Sequence, residues 1–468
     1  MDKKVILINR PLVRVKGLKV PSRKWQPLDL AYIAAILEKE NVRCKIVDAR
    51  ALDLTVDDVI EEVKRFQPDL VVFATDPVDF YQCPNPNWQT LKDVVVGIKK
   101  VTNAKILSFG PQINLFEKEL MYQLKIDFAV KGDNPLLSAE VALDILNQGK
   151  TFKEGVSYFD DKDNLVYGKV KHLMDLTLLP VPAYHLLPMK LYTGLWDFPG
   201  GNFSIIISSR GCPFHCKFCY KGMIGDSVRM RDLNQVMNEI KTLVKDFNIE
   251  TIFFFDEIFT FNRNRVIDLC QRIIDSRYSF KWGCQSRIDF IDEELLRVMH
   301  QAGCRYISYG IESGSQRIVD LANKKINLIK AGDIIELTRK VGIFPHTNMM
   351  YGFPQETDED FKKSIDFLIK HSEEDNMPSK MNFFVGSPYY NEYLTGATHQ
   401  EAVAISQKLI LSKLSLVDAE RGLSRWMIYR HWKKRKFNLM FFYFLLKFLL
   451  PSLIIKIKLM RNRYYDLV

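Results

Sequence analysis

Two patterns of apolar and polar residues alternate along the chain. Short runs rich in Val, Ile and Phe occupy 5–8, 43–47, 70–74, 105–109 and 127–130. Between them, 28–40, 56–66, 91–101, 115–123 and 136–146 place apolar residues at helical spacing. The first pattern predicts buried strands and the second helices, and their alternation predicts an open α/β sheet. Five such units predict a flavodoxin-like Rossmann domain over residues 1–150. In such a sheet a ligand lies at the carboxyl ends of the strands, here in loops beginning at Asn9, Thr75, Gly110 and Gly132.

Residues 151–200 break the pattern with a charged turn at 160–164 and prolines at 180, 182, 188 and 199, which favour extended chain. They are expected to be a linker. The alternation then resumes, with strands at 203–208, 251–255, 280–284, 305–309, 343–350 and 381–385. Helices are expected at 232–246, 263–275, 292–302, 315–323, 328–341 and 357–370. Six units predict a partial (β/α)6 barrel over 201–395, followed by a short helical C-terminal region, 396–468. Residues after each barrel strand point to one mouth. Here they are polar: Asp256 and Glu257, Gln285 to Arg287, Glu312 and Ser313, with Gly352 to Pro354 after the fifth strand.

Hydrophobic residues make up 47% of the 468 and charged residues 26%, the proportions of a globular chain too long for one core. The net charge of +10 is a property of the tail. Residues 421–468 hold twelve Lys and Arg against the single acid Asp466, so the remainder is nearly neutral. Nucleic-acid enzymes carry a basic stripe on the working domain, so no nucleic-acid partner is expected. The first residues lack a long apolar segment with a small-residue cleavage site, and a cytoplasmic protein is expected.

Of eight cysteines, Cys44, Cys83, Cys270, Cys284 and Cys304 are scattered, mostly in apolar runs, and read as small core residues of a reduced compartment. Cys212, Cys216 and Cys219 are different. They stand within eight residues, in Ser-Arg-Gly-Cys-Pro-Phe-His-Cys-Lys-Phe-Cys-Tyr (209–220), just after a predicted strand. Thiolates hold iron–sulfur clusters, and three ligands on a cubane that normally takes four leave one iron open. The alternative is a zinc knuckle with His215 as fourth ligand, but structural zinc sites are closed and usually built from two separated pairs. No second pair is present.

The spacing C-x3-C-x-aromatic-C resembles the signature of radical S-adenosylmethionine enzymes. The resemblance implies a [4Fe–4S] cluster on Cys212, Cys216 and Cys219, with S-adenosylmethionine chelating the fourth iron and yielding a 5′-deoxyadenosyl radical. It places Phe218 against the adenine and makes His215 a spacer. A carboxylate accepts from the methionine ammonium and ribose hydroxyls, and a guanidinium clasps a carboxylate in a fork. By resemblance Asp256 and Glu257 form the ammonium-binding segment, and Arg287 and Glu312 lie near the ribose and methionyl end. The alternative for Arg287 and Glu312 is a structural ion pair at the barrel end. Tyr220 is carried with the cofactor residues, and Tyr220, Tyr309 and Tyr351 are candidates for substrate contact or for wall packing.

No G-x-G-x-x-G follows the first strand. Instead 27–38, Asp48, Gly110-Pro111-Gln112 and Lys131-Gly132-Asp133 resemble the cobalamin-binding domain preceding the radical barrel in one large subclass. Gln112 and Asp133 stand where members commonly carry His and Glu. The resemblance implies a cobalamin site at Thr75, Gly110, Pro111, Gln112, Gly132 and Asp133. The first histidine is His172, beyond the domain, so cobalamin would bind without an imidazole ligand. A Rossmann domain that only packs on the barrel is the alternative.

The expected activity is cobalamin-dependent methylation of an unactivated carbon, with cyclisation or rearrangement without net methylation as the alternative. A transfer-RNA methylthiotransferase would need three more cysteines in the first domain, which has two, and a cobalamin sensor has no use for cluster thiolates. The expected electron donor is flavodoxin or ferredoxin, by resemblance. Residues 437–455 are almost all apolar but hold Lys447 and Pro451, and Lys436, Lys447 and Lys458 recur every eleven residues. A central lysine disfavours a spanning helix. An interfacial helix is expected instead, with 433–436 drawn to anionic headgroups and the substrate apolar or lipid-linked. A helix docked on the barrel is the alternative.

Overall fold

The computed structural model describes residues 3–11, 24–75, 89–151, 153–192, 201–372, 378–381, 383–394 and 422–429, with Phe442 and Leu445. Cys83 and nearly all of the basic tail lie outside these. The first domain runs β1 (Lys4–Asn9), α1 (Leu28–Lys39), β2 (Arg43–Asp48), α2 (Val56–Phe66), β3 (Leu70–Ala74) and α3 (Gln89–Val101). It continues with β4 (Lys105–Phe109), α4 (Pro111–Leu124), β5 (Phe128–Val130) and α5 (Pro135–Gln148). The five strands pair in parallel in the order β2-β1-β3-β4-β5, the flavodoxin-like order. Helix α4 begins four residues before the apolar periodicity does, because Gly110 caps it and Pro111 fills the first helical position.

The segment read as a linker is partly sheet. β6 (Val156–Phe159) and β7 (Leu165–Val166) extend the sheet antiparallel beyond β5. Their turn is the charged one, where the Asp160 carboxylate accepts from the backbone amides of Lys162 and Asn164.

The second domain begins with β8 (Phe203–Ile206) and the two-stranded ribbon β9 (Ser209–Arg210) and β10 (Arg229–Met230). It continues α6 (Leu233–Asp246), β11 (Thr251–Phe254), α7 (Arg263–Ser276), β12 (Lys281–Ser286), α8 (Glu293–Gln301), β13 (Cys304–Glu312), α9 (Gln316–Leu321), α10 (Leu328–Val341), β14 (Phe344–Tyr351), α11 (Asp358–His371), β15 (Ser379–Lys380) and α12 (Pro388–Tyr393). Six strands pair in parallel in the order β8-β11-β12-β13-β14-β15, an open partial barrel. The last strand is shorter and earlier than the apolar run at 381–385 indicated, since only Ser379 and Lys380 reach β14.

The two domains share one core. Helix α1 buries residues around most of its circumference, including Leu28, Leu30, Ala31, Tyr32 and Ile33, whereas α2 buries only Val59 and Val63. A helix apolar on all sides is one covered on all sides. Accordingly, the face of the first sheet carrying α1 and α5 is continuous with the barrel core, and the face under α2, α3 and α4 forms a separate core.

The first domain also closes the open edge of the barrel. The Gln26 side chain donates to the Phe203 carbonyl (3.0 Å) and accepts from the Ile205 amide (3.2 Å). It thereby pairs edge strand β8 as a neighbouring strand would. Beside it Trp25 packs on Phe203, Phe253 and Phe255 at centroid distances of 6.3, 5.9 and 5.0 Å.

Candidate active site

The strand register decides which barrel side chains share the lumen. Phe253, Gly283, Tyr306 and Phe344 stand side by side, as do Gln285, Ser308 and His346, and then Gly310 and Asn348. The opposite face meets the helices. Tyr309 bonds Thr338 of α10 (3.0 Å) and Tyr351 packs on Phe361 of α11 (5.8 Å). Both tyrosines therefore belong to wall packing. In the lumen, Tyr306 stacks on His346 and Phe344 (5.6 and 5.8 Å) and Asn348 donates to Ser308 Oγ (2.7 Å). Asn348 is exposed, and Phe255, Gln285, Gly310 and Met350 are half-buried, although they lie in or directly after β11 to β14. The lumen is open to solvent at this level.

The three signature cysteines follow β9. Gly211, at φ +98 with the Ser227 carbonyl where a Cβ would stand, turns the chain into the loop, a conformation that favours glycine. Cys216 is buried, while Cys212 and Cys219 are partly exposed. Among the described residues no three His, Cys, Asp or Glu side chains are drawn together as a closed ion site. The thiols thus share a loop without meeting at one point. Burial pushes the pKa of the Cys212 and Cys216 thiols up, and Lys221, Lys324 and Arg287 oppose it. Cations facing Cys212 and Cys216 suit an anionic thiolate cluster.

Around this loop the charged residues are already partnered. Asp256 is buried and accepts from the Ser208 amide (2.7 Å), Ser208 Oγ (2.6 Å) and Ser209 Oγ (2.7 Å), fixing the strand that leads into the cysteines. Glu257 accepts from the Gly211 amide (2.8 Å) and stays partly exposed. Burial and neighbouring Asp256 push its carboxyl up to about 7. Arg287 and Glu312 do not pair with each other. Arg287 grips Asp289, while Glu312 accepts from Lys324 Nζ (2.9 Å). Glu312 holds a left-handed φ of +72 at the bulge ending β13, a strained backbone for a non-glycine residue. Phe218 meets Phe353 edge-on (6.1 Å) and lies under Lys324 Nζ (5.9 Å).

Tyr220 is buried where the domains meet, its hydroxyl bonded to Asn114 of α4. Asn114 also donates to the Gly222 carbonyl (3.0 Å) and accepts from the Gly132 amide (3.1 Å). Gly132, at φ +102, has the Lys171 backbone where a side chain would be, so it admits the connector. Asp133 accepts from Arg229 (2.8 and 3.2 Å) and pairs with His172 (2.7 Å) and Arg210 (3.6 Å).

Thr75, Gln112 and the Gly110-Pro111 start of α4 remain at the carboxyl edge of the first sheet. The Thr75 hydroxyl is buried and has no hydrogen-bond partner among the described residues. Its carbonyl accepts from Arg10 Nε (2.7 Å). Next to it, Asn9 donates to Asp48, which Tyr192 also reaches (2.9 and 2.8 Å).

Sequence reasoning passed over Lys324, Gln26, Trp25, Asn114, and the buried network joining Tyr32, Arg231, Glu239 and Tyr184. In that network Arg231 bonds Tyr32 (3.2 Å) and Glu239 (2.5 Å), and Tyr184 donates to Glu239 (2.6 Å). A lysine or glutamine in an irregular segment carries no periodic signal.

The chain thus joins a Rossmann-type sheet, a partial barrel and a three-cysteine loop following β9. The pattern of the Radical SAM superfamily matches residues 206–368. The chain is 30% identical over 381 residues to the uncharacterized methyltransferase PH0819 of Pyrococcus horikoshii, covering 78% of each. The chain belongs to the radical SAM superfamily. It is also 25% identical to the cytidylyl-2-hydroxyethylphosphonate methyltransferase of Streptomyces wedmorensis (82% of this chain, 79% of the relative). Identity is again 25% to the anaerobic magnesium-protoporphyrin IX monomethyl ester cyclase of Cereibacter sphaeroides (73% and 56%). In fold it is similar to the radical S-adenosylmethionine methyltransferase TsrM of Kitasatospora setae, solved with cobalamin and a [4Fe–4S] cluster. The TM-score is 0.63 at 17% identity, over 84% of this chain and 74% of that one. The cobalamin-dependent S-adenosylmethionine radical enzyme OxsB gives 0.63 at 16% identity, over 93% and 62%. A [4Fe–4S] cluster and S-adenosylmethionine are the cofactors of this superfamily, and Cys212, Cys216 and Cys219 are the residues that fit the cluster.

Proposed function

We propose that the protein is a cobalamin-dependent radical methyltransferase whose substrate is an apolar or lipid-linked molecule with uncharged polar groups. The observation that carries this reading is the union of the two domains in one core, with Trp25 and Gln26 of the first completing the wall of the second. Likeness to methyltransferases across both domains supports it. When bound, S-adenosylmethionine on the reduced cluster supplies a hydrogen-abstracting radical and cobalamin supplies the methyl group. The unpartnered Thr75 hydroxyl, with Gly110, Pro111 and Gln112, suits a ligand laid on the carboxyl edge of the first sheet. Asp133 and Gly132, in the neighbouring loop, also hold contacts at the domain junction. No histidine precedes His172, and His172 is held by Asp133, so the first domain itself offers no imidazole as a lower ligand.

Substrate character follows from the lumen. Trp25, Phe255, Tyr306 and Met350 give an apolar wall, and Gln285, Ser308 and Asn348 give neutral donors and acceptors. The charged side chains identified around it, Arg287, Glu312 and Lys324, face partners of their own. An apolar body with hydroxyl or amide groups suits such a surface better than an ion. Flavodoxin or ferredoxin is the electron donor in this reading.

The test is anaerobic purification, reconstitution with iron and sulfide, addition of hydroxocobalamin, and desalting. Near-stoichiometric cobalt beside four irons is the expected result. Four irons without cobalt would sink the methyl-transfer reading and leave a first domain that only packs on the barrel. The second reading, radical cyclisation, is favoured by likeness to the magnesium-protoporphyrin cyclase, and product mass separates the two by one methylene.

Within the described residues no helix is long and apolar enough to cross a membrane. The one described stretch of the C-terminal region, helical residues 422–429, docks on α11. Gly422 packs on Phe361, Arg425 pairs with Asp366 (3.0 Å), and Trp426 is buried. The segment at 437–455 and the basic run before it lie outside the described residues. In this reading they hold the enzyme on an anionic surface. Sedimentation with phosphatidylglycerol vesicles is expected for the full chain and not for one ending at residue 432, and equal sedimentation of both would refute it.

A further inference from the structure

We infer that Arg287 is a positioning residue of the iron–sulfur loop, acting through Phe214, and not a clasp for the methionine carboxylate. Phe214 is the middle of the three residues between Cys212 and Cys216. The Arg287 guanidinium carbon stands 3.7 Å from its ring centroid, well inside the ~6 Å reach of a cation–π contact. The guanidinium edge is occupied elsewhere. Nε and one terminal nitrogen donate to the two oxygens of Asp289 (3.0 and 2.9 Å), and that same nitrogen donates to the Lys324 carbonyl (2.9 Å).

With the Nε and Nη2 side of the guanidinium committed, its second terminal nitrogen and its two faces remain, and Phe214 takes one face. Phe290, three residues beyond Arg287, meets the Phe214 ring edge-on (5.9 Å, 76°). Two side chains of the turn between β12 and α8 therefore grip the cysteine loop at its centre. Arg287 itself is buried, so its guanidinium is desolvated, while Phe214 is half-buried. The Lys324 carbonyl ties the same guanidinium to the residue whose ammonium bonds Glu312 and overlies Phe218. Arg287 thus joins the cysteine loop to the end of β13 while keeping a positive charge beside the iron site. The inference rests on cluster binding by the three cysteines and is independent of whether cobalamin binds.

The experiment uses the full chain, reconstituted anaerobically, as wild type, Arg287→Lys, Arg287→Leu and Phe214→Leu. Three quantities are read: the rate of iron loss to a ferrous chelator, the cluster midpoint potential, and the affinity for S-adenosylmethionine from the change in the reduced-cluster EPR spectrum. Phe214→Leu and both Arg287 variants are expected to lose iron roughly tenfold faster, the factor set by one cation–π contact of a desolvated guanidinium. Only Arg287→Leu, which removes the charge, is expected to lower the potential as well. Affinity for S-adenosylmethionine should stay within about twofold, far less than loss of a bidentate charge-assisted contact would cost. The inference fails if Phe214→Leu holds iron like the wild type. It fails equally if the Arg287 variants lose S-adenosylmethionine affinity while holding their iron. Phe214→Leu is a smaller change, and keeps the test decisive if an arginine variant does not fold.

Discussion

Replacing Cys216 with alanine is expected to leave a folded protein with no [4Fe–4S] cluster and S-adenosylmethionine cleavage at the assay blank. Cys216 is the most enclosed of the three signature thiols, and its carbonyl accepts from the Cys219 amide (3.1 Å). Its loss removes one of three protein ligands without breaking that turn. Among the described residues no other thiol can substitute. Cys270, Cys284 and Cys304 are buried in the wall of the barrel, and Cys44 lies in the first domain with its thiol pushed up to about 12 by burial. A buried neutral thiol is a poor ligand because metals are bound by the thiolate. Iron content, the visible and EPR spectra, and release of 5′-deoxyadenosine check the result, with circular dichroism confirming the fold. A cubane signal at wild-type intensity would remove Cys216 from the ligand set.

The second large effect lies away from the chemistry. Asp133→Ala is expected to lower the free energy of unfolding by about 3–5 kcal/mol, the cost of leaving buried charges uncompensated. The Asp133 side chain is fully enclosed, and so are those of Arg229 and Arg210 to within a few per cent. Three cationic or potentially cationic groups, Arg229, Arg210 and His172, converge on this one carboxylate. Arg229 keeps the Leu173 and Ile224 carbonyls (both 2.6 Å), but its charge would have lost its closest counterion. Asp133→Asn preserves shape without charge and should fall between. Denaturant unfolding of the iron-free protein measures both. Glu154→Gln, which breaks the exposed pair with Lys171 (2.7 Å), is the control and should barely move the midpoint. A small effect of Asp133→Ala would mean that water reaches the junction and solvates the arginines.

Asp133 also illustrates what a motif does not tell. Within Lys131-Gly132-Asp133 it reads as a residue of a ligand loop, and Gly132 reads as room for a ligand. In the fold both are turned to the connector and to the barrel. Arg287 is a similar case: a guanidinium at a barrel mouth suits a carboxylate, yet its fork is taken by Asp289 two residues away. Asp256, expected beside the cofactor, holds the two serines that lead into the cysteine loop. Tyr309 was legible as a strand residue, but which face it occupied depended on the register of β13.

The sequence alone determined the order of the parallel strands and of the helices between them, though not the added strands β6, β7, β9 and β10 or helix α12, because apolar period and caps such as Asp232, Asn262, Asp292 and Thr357 act within a few residues. It also determined the cluster loop, since three thiols within eight residues remain neighbours in any fold. What only the tertiary structure decided was partnership. Asp133 and Arg229 lie 96 residues apart, Gln26 and Phe203 177, and Asp29 and Arg210 181. A polar side chain carries no mark of which distant group will neutralise it. That choice is made when α1 is buried between the sheet and the barrel, and polar groups trapped at the junction must bond to what packing brings within reach.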